Sequence, residues 1–292
     1  MSETLENIVL KREKSKITLA GIKNLPSVPI IMMEISKLLE SPRTGASDLG
    51  KLISKDQALV AKILTVANSP LYGLPRRVAT IEFAIVILGF DHIKNIVIAL
   101  SMMDAFKSSE DKYWNRHAYW IHSLITASAA KRIADDLGYR KTGEAFTCGL
   151  LHDLGISVIQ KYFHEDFNEI CTLVEEQKMR YLSAEQRVLG LTHQEIGQFL
   201  AEKWNLPQIL AEGILYHHQP SQAKDEKVLA AIVHLADYMT VRFSMGNFNW
   251  DDSVNLDTSV IEILNLGDEQ YLESFIQSYY ELFQVQLESL NY

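Results

Sequence analysis

The sequence is short of cysteine, of clustered positive charge and of long apolar runs, and each shortage narrows what the chain can be. Two cysteines in 292 residues, Cys148 and Cys171, both in apolar contexts, cannot build a disulfide framework and fit a reducing compartment. Positive charge is outnumbered: 28 Lys and Arg stand against 37 Asp and Glu, for a formal net charge of -9. Sequence-independent binding to nucleic acid or to an anionic membrane needs clustered Lys and Arg, so neither partner is expected. The most apolar stretch, 81–103, is interrupted by Asp91, His92 and Lys94 and is too broken to span a bilayer. The acidic opening Met1–Glu6 lacks the apolar core of a secretory signal, so the expectation is a cytoplasmic protein. Alternating apolar and polar residues over strand length are also missing, which leaves an all-α class.

What is present is helix punctuation. Ser27 and Pro29 read as a helix start, with Ile30, Met33, Ile35, Leu38 and Leu39 as its apolar stripe. Asp56 and Thr80 read as caps, and Gly89 as a stop before a helix toward Phe106. A long helix is expected over 112–136, ended by Gly138, and Gly155 is expected to break or bend the chain. Ser183-Ala184-Glu185-Gln186 and Thr192-His193-Gln194-Glu195 both have the form of a capping box. Residues 244–253 read as a polar linker and 269–290 as one aromatic-rich helix. The organisation expected is an N-terminal tail or frayed helix over 1–24, an N-terminal helical lobe over 25–110, a second helical lobe over 111–245, and C-terminal helices over 246–292.

The chemistry concentrates around Cys148-Gly149-Leu150-Leu151-His152-Asp153-Leu154-Gly155, where an imidazole and a carboxylate stand side by side at the end of an apolar run. Such a pair is half a site for a divalent metal. His122, His193, His217, His218 and Asp237 are the candidates for the other half. Neutral His together with carboxylate suits iron, manganese, zinc or nickel better than calcium or magnesium. Seven ligands exceed the need of one tetrahedral zinc. If Asp153 bridged two ions, the pair would supply a nucleophile from water and clamp a phosphoryl oxygen. The competing reading of each histidine is a hydrogen-bonded core residue. His117 reads as outside the site, His234 as supporting or simply packed, and Cys148 as a small core residue.

Two family resemblances rest on these residues and their surroundings. The chain resembles the HDOD family, the HD-related output domains. The resemblance is carried by Leu25-Pro26, Ile53-Ser54-Lys55-Asp56, Ala67-Asn68-Ser69-Pro70-Leu71-Tyr72-Gly73, the His152-Asp153 segment, Gly197 to Pro207, and Tyr216-His217-His218-Gln219-Pro220. It implies a two-lobed helical fold with an HD-like bundle and a role in signalling through protein partners. The chain is also similar to the HD superfamily of metal-dependent phosphohydrolases. That family's ligand order falls on His122, His152-Asp153, His193, His217-His218 and Asp237. HDOD proteins commonly lack much of this set, and this chain keeps all of it.

The resemblance to the HD-GYP phosphodiesterases within that superfamily stops short in two places. Their Lys shortly after the His-Asp pair is missing, the next being Lys161. Their Gly-Tyr-Pro segment is replaced by Gln219-Pro220-Ser221. Cyclic-dinucleotide hydrolysis is therefore not expected. The expectation is a regulatory HDOD protein with one or two divalent ions, iron or manganese first. The alternative is a phosphohydrolase acting on a phosphorylated small molecule. Tyr271, Phe275, Tyr279, Tyr280 and Phe283 of the last helix read as core packing; an exposed stripe there would instead imply a homodimer.

Overall fold

The computed structural model describes residues 5–22, 30–39, 41, 44–74, 76–106, 110–248, 250 and 255–290. The expected helix start at 25–29 lies outside them. Helices α1 (Leu5–Gly21), α2 (Ile30–Leu39), α3 (Ala46–Ile53), α4 (Gln57–Ala67), α5 (Ile81–Leu88) and α6 (Phe90–Ala105) form the first part. They are followed by α7 (Arg116–Asp136), α8 (Thr142–Leu151), α9 (Leu154–Tyr162), α10 (His164–Gln177), α11 (Tyr181–Leu189), α12 (His193–Lys203), α13 (Gln208–Tyr216) and α14 (Lys227–Arg242). The chain closes with α15 (Val260–Ile263), α16 (Glu269–Ser278) and α17 (Tyr280–Leu290). Among the described residues there is no strand, so the fold is all-α.

The caps fall where the sequence places them. Asp56 accepts the Leu59 N–H at 3.0 Å and Thr80 the Phe83 N–H at 3.2 Å. Gly89 ends α5 at φ +85°, a conformation that glycine adopts without steric cost. The Thr192–Glu195 capping box forms in both directions. Other boundaries differ from expectation for local reasons. The helix expected from 112 begins at Arg116, because Asp111 takes the N–H groups of Tyr113 and Trp114 into a turn and Asn115 caps instead. No capping box forms at Ser183, which lies inside α11. In the stripe of α2, Ile35 is buried, but Ile30 and Met33 are 73% and 62% exposed. The helix expected over 269–290 breaks at Tyr279, whose hydroxyl donates to Asp136 of α7 at 2.6 Å. Tyr271 and Tyr280 are exposed, whereas Tyr279 and Phe283 are core. The N-terminal segment is a docked helix, with Arg12 paired to Glu195 and donating to the Gly190 carbonyl, and Ser15 donating to that of Leu189.

The core centres on α7, which is buried along almost its whole length between α8 and α14 and also meets α17. Its Ala- and Ser-rich sequence explains the close approach. A Cβ on Gly149 of α8 would come within 2.9 Å of the Ala127 Cα, so both partners must be small. On the other flank, Thr126 and Thr240 join α7 to α14 through their hydroxyls at 3.1 Å. No single described helix is long and apolar enough to cross a membrane. α5 and α6 reach the required composition only together, across a 119° bend.

Helix α6 meets this core at His92. Its ring hydrogen-bonds the Tyr72 hydroxyl, and both rings pack on Phe146 of α8. Lys131 sits 4.6 Å over the Tyr72 ring. Burial, helped by the Lys131 charge, pushes His92 down to about 4. The unfolded chain binds this proton near 6.5, so it holds more protons than the folded chain between those values. Stability is therefore complete above pH 6.5 and falls as pH drops toward 4, with a slope of up to about 1.4 kcal/mol per pH unit from this group. Thermal melts between pH 4 and 7 should show the loss. His92→Gln should flatten it in part, since His234, depressed to about 4, titrates in the same window. An unaltered slope in that variant would refute the assignment.

Candidate metal centre

The seven sequence candidates converge. His122 comes from the interior of α7 and Asp237 from the interior of α14. The other five sit at helix ends, where backbone groups are left free to orient them. His152 follows α8 and His217 follows α13, and they use the same device. Each ring is tied through Nδ1 to the carbonyl three residues back, Gly149 and Ile214 respectively, both at 2.7 Å. That bond assigns the proton to Nδ1 and turns Nε2 toward the centre. His193 opens α12. Its backbone N–H donates to Glu185 at 2.7 Å, and its Nδ1 lies 3.0 Å from both Glu185 oxygens. His218 is the most accessible of the set at 8% exposure, and none of the others exceeds 1%.

Asp153 stands between two groups of donors, which also meet through His152, His217 and Asp237. Its Oδ2 faces His152 Nε2 at 3.2 Å and His122 Nε2 at 3.5 Å. On the same side, Asp237 Oδ1 is 3.2 Å from His122 Nε2 and 3.4 Å from His152 Nε2. The other oxygen, Oδ1, faces His193 Nε2 at 3.4 Å and His217 Nε2 at 3.6 Å, and His218 Nε2 is 3.3 Å from His193 Nε2. Donor atoms from His122, His152 and Asp153 lie within 4.8 Å of one another, as do those from Asp153, His193, His217 and His218. One carboxylate thus offers one oxygen to each of two donor sets.

The electrostatics are those of a site built for positive charge. Both oxygens of Asp153, both of Asp237 and Nε2 of His217 are buried without a hydrogen-bond partner of good geometry. Unpaired buried carboxylates cost several kcal/mol of desolvation, which a cation between them offsets. Burial opposes ionisation of Asp153, but the neighbouring imidazoles, His152 first, hold it well below the usual carboxylate range, and Asp237 behaves alike. Burial likewise opposes a proton on His122, but the Asp153 and Asp237 carboxylates outweigh it and raise the group to about 9. On the opposite side, burial and His218 push His217 down to about 3, leaving a neutral ring. The donor set, imidazoles with shared carboxylates, suits a transition metal, which would take the place of the proton on His122.

Other residues around the cluster were less visible in the sequence. Glu185 is buried, holds His193, and receives the Trp250 indole N–H at 2.7 Å. Its place in an apparent capping box concealed that role. Phe248 lies against the His122 ring, and Trp250 stacks on Tyr181 and Phe167, so the described part of the expected linker covers the cluster. Two aromatics within a polar stretch were the available signal. Gly155 lies within α9 and does not break it. A Cβ there would collide with the His193 carbonyl, so the glycine serves close approach of α9 to α12. His234 supports the site: Nδ1 donates to the His217 carbonyl at 2.8 Å, while Nε2 accepts the Asp257 N–H at 2.8 Å. His117 and Lys161 are exposed, and Lys161 reaches the Ala105 carbonyl. Cys148 is fully buried against α13, and burial raises its thiol.

An all-helical chain enclosing a His/Asp cluster of this order defines the class: a helical domain of the HD kind. The sequence pattern of the HDOD domain matches residues 25–220, and the chain belongs to the HDOD family. The crystal structure of an HDOD domain protein of unknown function from Geobacter sulfurreducens is similar over 97% of this chain and 99% of its own, at 28% identity and a TM-score of 0.76. A candidate metal-dependent phosphohydrolase from Shewanella amazonensis SB2B shares the fold, at 17% identity and a TM-score of 0.66 over 97% of this chain and 98% of its own. An uncharacterized protein of Treponema pallidum (strain Nichols) is 27% identical over 285 residues, 96% of this chain. The chain spans about half the length of that curated relative.

The contact between α9 and α12 gives the first test of the site. Gly155→Ala must push α12 away and is expected to cost about 1–3 kcal/mol, the range for overpacked cores. A lowered melting temperature with native far-UV circular dichroism is the expected result. Parent-like melting would show that the two helices do not approach as described.

Proposed function

We propose that this chain is a regulatory HDOD protein whose buried cluster holds two divalent ions, iron or manganese in preference to zinc or nickel. The observation that carries this reading is the Asp153 carboxylate, which presents one oxygen to each of two donor sets. His122, His152 and Asp237 would complete one ion's shell, and His193, His217 and His218 the other's. Glu185 and the Gly149 and Ile214 carbonyls would orient the rings. A regulatory role is supported by the family and by the enclosure of the cluster. Among the described residues, the ion-pair contacts of Asp153 and Asp237 are with histidines. The output would pass to protein partners in the cytoplasm.

A second reading, phosphoester hydrolysis, is favoured by the completeness of the ligand set. Bound ions would supply Lewis acidity toward a phosphoryl oxygen and acidify water. The chain's own part would be to fix the ion positions, orient the imidazoles and exclude bulk water.

Elemental analysis of protein purified without chelator tests the first reading. Close to two equivalents of metal are expected. Asp153→Ala should lose both, because it removes the shared ligand. Glu185→Gln should lower affinity about 10–100-fold at the His193 side, as for other supports of metal-bound histidine. A parent that holds no metal and takes up none of the four ions would overturn the reading. Turnover of 1-naphthyl phosphate, lost in Asp153→Ala with the fold retained, would select the hydrolase over the purely regulatory role.

A further inference from the structure

Charge is unevenly spread along this chain. After Arg242 the sequence has no Lys or Arg, and its nine Asp and Glu residues there equal the whole formal net charge of -9. Part of that charge stands on one exposed face of α17. Glu281, Val285 and Glu288 recur at the spacing of successive helical turns and so share that face, with Tyr280 at its start. Val285 is 50% exposed and Tyr280 41%, so apolar surface lies between and beside the two carboxylates. Neither Glu281 nor Glu288 has an ion pair among the described residues.

The same helix ends at a groove of opposite character. A cavity of about 530 Å³ lies between α4, the loop after Asn68 and the end of α17. Arg76 and Arg77 both line it, with Ser289 and Leu290 on the α17 side and Leu64 and Leu74 as apolar wall. Both arginines are exposed and without an ion pair among the described residues, and the described lining holds no Asp or Glu. The walls are well fixed. The Asn68 side chain donates to the Leu64 and Val78 carbonyls and accepts the Val78 N–H, all at 2.8 Å, which closes the loop that carries the arginines. Gln286 of α17, fully buried, accepts the Ser69 hydroxyl and the Leu71 N–H, the latter at 3.2 Å. The basic groove and the acidic face are thus held on one scaffold, which lowers the ordering cost of binding there.

Two adjacent patches of opposite charge suit a second copy of this chain, because a two-fold axis lays each patch on the other and makes every contact twice. We propose that the chain forms a dimer through α17, with the axis at Val285. Antiparallel α17 helices then set Ser289 opposite Glu281 of the second copy, and Leu290 opposite its Tyr280. Glu281 would reach Arg76 and Arg77 across the interface, and Tyr280 would cover Leu290 and Leu74 at the groove. An aromatic anchor over an apolar wall, with charge pairs at the rim, is the anatomy of a specific interface. The dimer goes beyond the metal reading and does not depend on it.

Sedimentation velocity of the full chain, with and without chelator treatment, tests the proposal. A dimer is expected in both samples, and raised salt should weaken it, because exposed charges are screened. The double variant Arg76→Glu/Arg77→Glu and the single variant Glu281→Arg change exposed residues only, so both should keep the parent's far-UV circular dichroism. Each is expected to weaken self-association at least about 10-fold, by setting like charges opposite one another. Mixed together, the two variants should form a dimer with one chain of each, since every charge pair is then restored, with its sign reversed at one end. A parent that stays monomeric, a dimer that both variants leave unchanged, or variants that stay apart on mixing would overturn the proposal. Metal content is measured on the same samples: a parent that dimerises as described yet holds no metal would uphold the interface while the metal reading fails.

Discussion

The constraint on which this structure depends is the burial of two carboxylates, Asp153 and Asp237, among five imidazoles in the middle of a helical core. A bare carboxylate at zero exposure is not tolerated in an apolar interior. Here the cost is met by geometry. Helix ends bring free backbone carbonyls to fix ring tautomers, as Gly149 does for His152 and Ile214 for His217. A helix start brings the His193 N–H to Glu185. The chain breaks between α8 and α9, and again after α13, are the places where donors enter. Small residues then let the helices close: Gly149 against Ala127, and Gly155 against the His193 backbone.

Much of this was legible in the sequence, and the legible parts share a cause. Caps such as Asp56, Thr80 and Thr192 act within four residues, so local sequence determines them. The seven His and Asp residues were legible as a set because their order resembles a known one; taken singly, each reads as readily as a hydrogen-bonded core residue. What was hidden depends on contacts far apart in the chain. Glu185 meets Trp250 across 65 residues, and its place two residues after Ser183 suggests a cap only because local pattern ignores burial. Gly155 looked like a breaker because a glycine's freedom is visible in sequence, while the approach of another backbone is not. The N-terminal helix has weak periodicity because its contacts are mainly polar: Arg12 with Glu195, and Ser15 with the Leu189 carbonyl.

The first six helices bear on the site through packing. α6 lies against α8, the helix that ends in His152, and the Tyr72–His92–Phe146 cluster fills the seam. At the far end of α6, Met103, Asp104 and Phe106 become cavity wall beside Tyr119 and Ser157. The same helix therefore supports the His152 arm of the cluster and shapes the space next to it. α1 does the corresponding work on the other side. Arg12 pairs with Glu195, the residue that completes the cap of the helix carrying His193.

Enclosure and completeness pull the functional reading in different directions, and the placement of polar groups reconciles them. An enzyme that hydrolyses phosphoesters needs its ions open to substrate, yet no ligand other than His218 exceeds 1% exposure. A purely structural centre needs no neighbouring cavity, yet Tyr119 and Ser157 are in the lining of one. Tyr119 and Ser157 stand between the two, each one helical turn from a candidate ligand. The physical link between cavity and cluster is then short and covalent, along α7 and α9, and needs no distant pathway. On this geometry the cavity and the cluster share the turns of α7 and α9 that carry Tyr119 and Ser157.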